Sequence, residues 1–142
     1  FDARGQQVPG CPPYQTVPIF NFHHGRLSVL YKREYIELAQ RFAGVPPLSA
    51  AQTEALDLLD AVCDELAFEF VAEAGDLLVC SNYDVLHART AYRDDDAAGT
   101  NKRHMMRIWL SHPCGRPLPE VFATTREFVH SYRRRQQKCV NS

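Results

Sequence analysis

The sequence predicts a mainly β fold with helical insertions, and three observations predict it. Short apolar runs of strand length are bounded by glycine and polar turns. Two segments with helical spacing interrupt these runs between residues 33 and 66. After residue 66 the apolar pattern returns to strand-like alternation. Short strands, glycine turns and a helical insertion suit half of a jelly roll with a helical cover.

The elements follow in order. Residues 1–15 are rich in Pro and Gly and read as irregular. Thr16–Phe22 and Leu27–Tyr31 read as strands, with His23-His24-Gly25-Arg26 as the hairpin turn between them. Pro18 makes the first strand an edge or interrupts it. Arg33–Phe42 carries Tyr35, Ile36, Leu38, Ala39 and Phe42 near helical spacing, and Gly44-Val45-Pro46-Pro47 ends it. Ser49-Ala50-Ala51-Gln52 has the form of a capping box. The helix it opens places Ala55, Leu58, Leu59, Val62 and Leu66 on one face, as a core-packing stripe. Ala67–Ala72 alternates as a strand, Ala74-Gly75-Asp76 turns the chain, and Leu77–Cys80 reads as a short buried strand. Val85–Tyr92 is partly extended, Arg93–Asn101 is a polar loop, and Arg103–Ser111 is the last strong strand. Val121–Gln137 predicts a terminal helix.

The bulk numbers exclude some functions. The chain has 142 residues, 45% of them hydrophobic, and a formal net charge of −1. No field draws it to nucleic acid or to an anionic membrane. No stretch is long and apolar enough to span a bilayer, and no signal-peptide pattern is present. The reading is an intracellular, cytoplasmic chain. Five cysteines, with no C-x-x-C pair, argue against a disulfide framework or a structural zinc site. Cys80 reads as a small core residue. Arg133-Arg134-Arg135 reads as a solvated helix face, with a phosphate or partner contact as the alternative. Oligomeric state is open, a homo-oligomer included. The first residue is Phe1, in what reads as mid-loop, so residues 1–142 are expected to form one partial domain, the C-terminal part of a longer protein.

The most informative segment runs from Gly75 to Tyr92 and places His87 between Leu86 and Ala88. Sixteen residues later comes Arg103-His104-Met105-Met106-Arg107-Ile108-Trp109-Leu110. Together with Gly115-Arg116-Pro117-Leu118-Pro119, this stretch resembles the end of the taurine dioxygenase-like branch of the iron(II)/2-oxoglutarate oxygenases. The resemblance covers about residues 16–122, with its specific core at 74–119. It implies the C-terminal half of a double-stranded β-helix (jelly roll). It also implies a dioxygenase that hydroxylates or desaturates a small substrate with O₂, Fe(II) and 2-oxoglutarate.

The residue chemistry suits that expectation. A facial triad holds iron(II) through two histidines and one carboxylate, leaving three positions for co-substrate and O₂. The resemblance puts His87 at the distal metal histidine; without it, a packed, hydrogen-bonded core histidine is the commoner explanation. A guanidinium can clamp the far carboxylate of 2-oxoglutarate through two parallel hydrogen bonds, and the resemblance gives Arg103 this role. Arg107 shares a strand face with Arg103 by two-residue periodicity. The resemblance implies that it meets an anionic group of the substrate. A salt bridge to Asp94, Asp95 or Asp96 is the alternative for both arginines. Asn82 and Tyr83 form a polar corner before His87 and are candidates for the pocket wall, although turn geometry explains Asn82 as well. Arg89 and Thr90 flank the histidine, Arg89 alternating to its side.

One departure matters. The family's metal centre needs a His-x-Asp or His-x-Glu motif on an earlier strand, and no histidine of this chain has a carboxylate two positions on. The missing ligands are expected upstream, and the isolated chain is expected to be inactive. Two readings from other classes stay open. One is a non-catalytic β-helix module that holds a carboxylate or sulfonate ligand through Arg103 and Arg107. The other, a hydrolase using His87 as base with a cysteine, lacks a cysteine beside a plausible oxyanion site.

Overall fold

In the computed structural model, residues 1–91, 105–112 and 115–139 are described. They form β1 (Phe20–His23), β2 (Arg26–Val29), α1 (Arg33–Ala39), α2 (Ala50–Leu66), a 3-10 helix over Glu120–Thr124 and α3 (Val129–Cys139).

Strands β1 and β2 pair antiparallel, with Phe20 opposite Val29 and His23 opposite Arg26. The expected turn joins them. His24 and Gly25 both take positive φ, 48° and 70°, as a two-residue hairpin turn matched to strand twist requires. The first strand starts only after Pro18, whose carbonyl accepts from Asn21 Nδ2 at 2.7 Å. Alternation along the pair buries Asn21 and Ser28 and leaves Phe20 and Phe22 outward. The inner face is therefore polar, and it holds because both side chains find hydrogen-bond partners.

Helix α1 begins where expected and stops three residues early. The amides of Gln40, Arg41 and Phe42 bond to carbonyls three residues back, so the last turn tightens before Gly44. The capping box of α2 forms in full. Ser49 Oγ accepts from the Gln52 amide at 3.2 Å, and Gln52 Oε1 accepts from the Ser49 amide at 2.9 Å. The expected core stripe of α2 is corrected. Leu56 is its buried residue, while Leu58 and Leu66 are 66% and 76% exposed. The reason lies in the neighbouring helix: Arg33 on α1 reaches Asp57 at 2.8 Å and Asp60 at 3.1 Å, which turns the Leu56 side of α2 inward. Tyr31 also donates to Asp60. Burial and that hydrogen bond push its phenol pKa up to about 12.

Beyond α2 the expected strands are not seen among the described residues. Residues 67–91 and 105–112 carry no strand pairing. Strand hydrogen bonds need a neighbouring strand, and among the described residues β2 meets these segments through a single such bond, from the Val29 amide to the Tyr83 carbonyl, too little to form a ladder. Cys80, expected in the core, is exposed. The turn at Ala74–Asp76 does form. Gly75 has φ 98°, and Asp76 closes the turn by accepting from the Glu73 amide at 2.8 Å.

The expected terminal helix is broken in two at Thr125, which is extended at φ −89°, ψ 135°. Thr125 is buried, its hydroxyl donates to the Phe122 carbonyl, and its own carbonyl accepts from the Phe128 and Val129 amides that open α3. The core gathers here: Val17, Leu30, Leu118, Phe122 and Phe128, with Phe1, Tyr83, Val121 and Tyr132 packed around them. Phe122 and Phe128 pack with ring centroids 4.5 Å apart. Gln15 fastens the chain's first segment to its last, donating to Glu127 at 2.8 Å and accepting from the Arg126 amide at 2.9 Å.

Candidate functional site

The corner before His87 is a hydrogen-bonded turn. Ser81 Oγ donates to Asp84 Oδ2 at 2.6 Å, and the Ser81 carbonyl accepts from the amides of Asp84 and Val85 at 3.2 and 3.1 Å. Asn82 lies in this turn, half-exposed, where turn geometry is sufficient to account for it. Tyr83, the other candidate for the pocket wall, packs into the described structure. Its ring packs on Phe128 at 4.8 Å, and its carbonyl accepts from the Val29 amide at 3.0 Å.

Arg116 ties this corner to the hairpin. Its side chain is 11% exposed and meets Asp84 Oδ1 at 3.0 Å. The same guanidinium donates to the Leu27 carbonyl and to Ser28 Oγ, both at 2.8 Å. It also lies over the Tyr83 ring, 5.4 Å from its centroid. Arg135 from α3 approaches the same ring at 5.2 Å and donates to the Arg116 carbonyl. A Cβ at Gly115 would come within 2.4 Å of an Arg135 guanidinium nitrogen, so the glycine leaves room for this approach. Arg134 donates to the Ser111 carbonyl at 3.2 Å. The basic run is thus more than a solvated face: two of its three arginines bond to the backbone of other segments.

His87 lies two residues past this corner, exposed, in a segment without strand pairing. Arg89 and Thr90 are exposed beside it, and so is Arg107 farther along. Arg103 lies outside the described residues, as do His104 and Asp94, Asp95 and Asp96. The expected meeting of His87 with Arg103 therefore falls outside them too, as do the alternative salt bridges. A cavity of about 480 Å³ forms elsewhere, lined by Gln6, Trp109, Leu110, Ser111, Arg126, Glu127, His130, Ser131 and Arg134. Neither His87 nor Arg107 lines it.

Iron would need more than His87. Among the described residues, no three His, Cys, Asp or Glu side chains gather as a metal centre would require. These residues do not by themselves fit an iron triad, and His87 could supply one ligand of it.

Arg116 and Asp84 were not singled out by sequence. The usable signal is Gly115-Arg116-Pro117, in which the proline fixes φ after the arginine and the glycine before it leaves room for a close approach. What that arginine would reach is 88 and 89 residues away in the chain.

Comparison with known proteins gives the lineage. The model of the "Taurine catabolism dioxygenase TauD, TfdA family" matches residues 2–109. FR-33289 synthase of Streptomyces rubellomurinus is 32% identical over 135 residues, covering 89% of this chain and 38% of that protein. The taurine hydroxylase-like protein SAT17 of Stachybotrys chartarum is 35% identical over 69 residues, covering 48% of this chain and 17% of that protein. The chain thus spans well under half the length of either relative. No solved structure matches it significantly. No helix among the described residues is long and apolar enough to cross a membrane. The family match over residues 2–109 and the identity to FR-33289 synthase across most of the chain place this protein in the taurine catabolism dioxygenase TauD, TfdA family.

Proposed function

We propose that the protein carrying this chain is an iron(II)/2-oxoglutarate-dependent dioxygenase that hydroxylates or desaturates a small substrate. Residues 1–142 form the C-terminal portion of its oxygenase domain, the second half of a double-stranded β-helix. The family match carries this reading. The order His87, Arg103, Arg107 along the sequence supports it.

Each residue has a role in this proposal. His87 is one metal ligand, and the other two come from outside this chain. Arg103 holds the far carboxylate of 2-oxoglutarate. Arg107 meets an anionic group of the primary substrate. The name of one relative, a taurine hydroxylase-like protein, fits a substrate with an anionic group. Asn82, in the corner before the metal-bearing segment, is the second substrate-binding residue, on the pocket wall. With 2-oxoglutarate and O₂, the bound iron supplies the oxidising chemistry; the protein supplies positioning and charge.

The test is succinate formation from 2-oxoglutarate by the whole protein with iron(II). Succinate is expected from the wild type and not from His87→Ala. Arg103→Ala weakens 2-oxoglutarate by about 2–5 kcal/mol, part of it the cost of stranding the carboxylate. Arg103→Lys also fails, because an ammonium cannot reproduce the planar fork. Arg107→Ala mainly weakens the primary substrate. Equal loss of both ligands in both arginine variants would end the division of roles. A wild type that binds a carboxylate or sulfonate through these arginines yet forms no succinate would favour the binding module. The purified 142-residue chain is expected to make little or no succinate.

A further inference from the structure

We infer that the cavity between residues 109–111 and α3 is a binding site for a small aromatic carboxylate, with Arg134 and Ser111 holding the carboxylate and Trp109 taking the ring. The inference stands apart from the proposed metal site, since neither His87 nor Arg107 lines the cavity. At about 480 Å³ the space falls within the range of small-molecule sites, about 300–1,000 Å³. Its charges are unequally matched. Arg126 meets one oxygen of Glu127 at 3.4 Å, and Gln15 donates to the other at 2.8 Å. That carboxylate is therefore answered on both oxygens. Arg134 has no such match: among the described residues no carboxylate lies within ion-pair distance of it. Its bond there is to the Ser111 carbonyl, at 3.2 Å. A guanidinium carries five N–H donors, so most of those on Arg134 remain for a ligand.

A second observation points to the same ligand. Ser111, which lines the cavity beside Arg134, has its Oγ buried without a hydrogen-bond partner among the described residues. An unpaired buried hydroxyl is costly, and a carboxylate oxygen in the cavity would accept from it. His130 and Ser131 bring the first turn of α3 to the same wall, where amides without an acceptor inside the helix favour negative charge. The opposite wall is aromatic. Trp109 lines the cavity yet is 61% exposed, so much of its indole is open to a flat partner. One unmatched arginine calls for a single negative charge, and the indole calls for a ring. Together they select an aromatic monocarboxylate over a neutral ring or a bare anion.

The experiment labels the whole protein with fluorotryptophan and follows the Trp109 resonance, assigned by Trp109→Phe, as three probes are added. Phenylacetate should shift it saturably. Phenylacetamide keeps the ring without the charge and should bind about tenfold more weakly. Acetate keeps the charge without the ring and should bind at least about threefold more weakly. Arg134→Ala should weaken phenylacetate about tenfold. Arg133→Ala is the control: it removes the same charge from an exposed position of α3 outside the cavity and should leave the affinity unchanged. Ser111→Ala should weaken phenylacetate about threefold. It should not lower the thermal midpoint, because its hydroxyl has no bond to lose, and it decides the matter if Arg134→Ala fails to fold. A Trp109 resonance that phenylacetate leaves unmoved would overturn the inference. So would phenylacetamide or acetate binding as tightly as phenylacetate, or Arg133→Ala weakening binding as much as Arg134→Ala.

Discussion

Residues 1–66 and 115–139 form one kind of structure; residues 67–91 and 105–112 form another. In the first set, apolar side chains meet each other: Val17, Leu30, Leu118, Phe122 and Phe128 close a core drawn from both ends of the chain. In the second, apolar side chains point to solvent. Phe68, Leu77 and Leu110 are 87%, 88% and 82% exposed. Yet both regions carry clear patterns in sequence. The difference shows that a helix or a turn completes its bonds within a few residues, while a strand completes nothing until another strand lies beside it. The corner at Ser81–Val85 is held differently, because Arg116 and β2 provide its partners.

The largest expected effect tests that contrast directly. Phe122 is fully buried, so Phe122→Ala should cost the 142-residue chain about 3–5 kcal/mol in chemical denaturation. Leu78→Ala, at a position 60% exposed, should stay within about 0.5 kcal/mol. Similar losses at the two positions would mean that the second region has a core of its own. In the whole protein, where the proposed β-helix covers residues 77–80, Leu78→Ala should rise to about 2–5 kcal/mol. A loss there that stays near zero would sharpen the contrast into a permanent one.

Local signals in the packed region carry smaller, calculable effects. Gly25 sits at φ 70°, and any side chain there pays the left-handed penalty. Gly25→Ala should lower unfolding free energy by about 1–2 kcal/mol. Ser49→Ala removes the acceptor of the α2 capping box and should cost about 1 kcal/mol, read as helicity and thermal midpoint. If either change were silent, the hairpin or the helix would be held by packing rather than by its own turn chemistry.

A further expected effect depends on pH. The folded-state pKa of Tyr31, pushed up to about 12, lies above its unfolded value of about 10. Its contribution to stability is fully present below about pH 10 and is lost as pH rises through about 12. Tyr31→Phe should remove that part of the alkaline loss. The measurement is the difference in unfolding free energy between wild type and variant across this range. Parallel curves would show that the Asp60 hydrogen bond does not hold the phenol in its neutral form.

The proposed site is legible only as residue types in order, not as geometry. His87, Arg103 and Arg107 stand out because their types and spacing resemble those of a metal ligand and two anion partners in the family. Their convergence depends on neighbouring strands, and Arg103 lies outside the described residues. The packing of Tyr83 has no mark in the sequence, where it is only a tyrosine beside a polar turn. Its place between Phe128 and two guanidinium groups is a matter of three distant segments meeting.

By itself, the sequence determined the capping box, the positive-φ hairpin turn, the glycine turn at Gly75 and the motif that marks the family. Each is set by bonds or sterics within a few residues, or by residue types that chemistry makes hard to replace. Only the tertiary structure decided that Leu56 rather than Leu58 or Leu66 faces inward, that the terminal helix breaks at Thr125, and that Arg116 joins the corner to β2. Those outcomes turn on which long-range partner satisfies a buried polar group or an apolar face. A one-dimensional pattern can name the groups that need partners, but the choice among partners is made when distant segments pack.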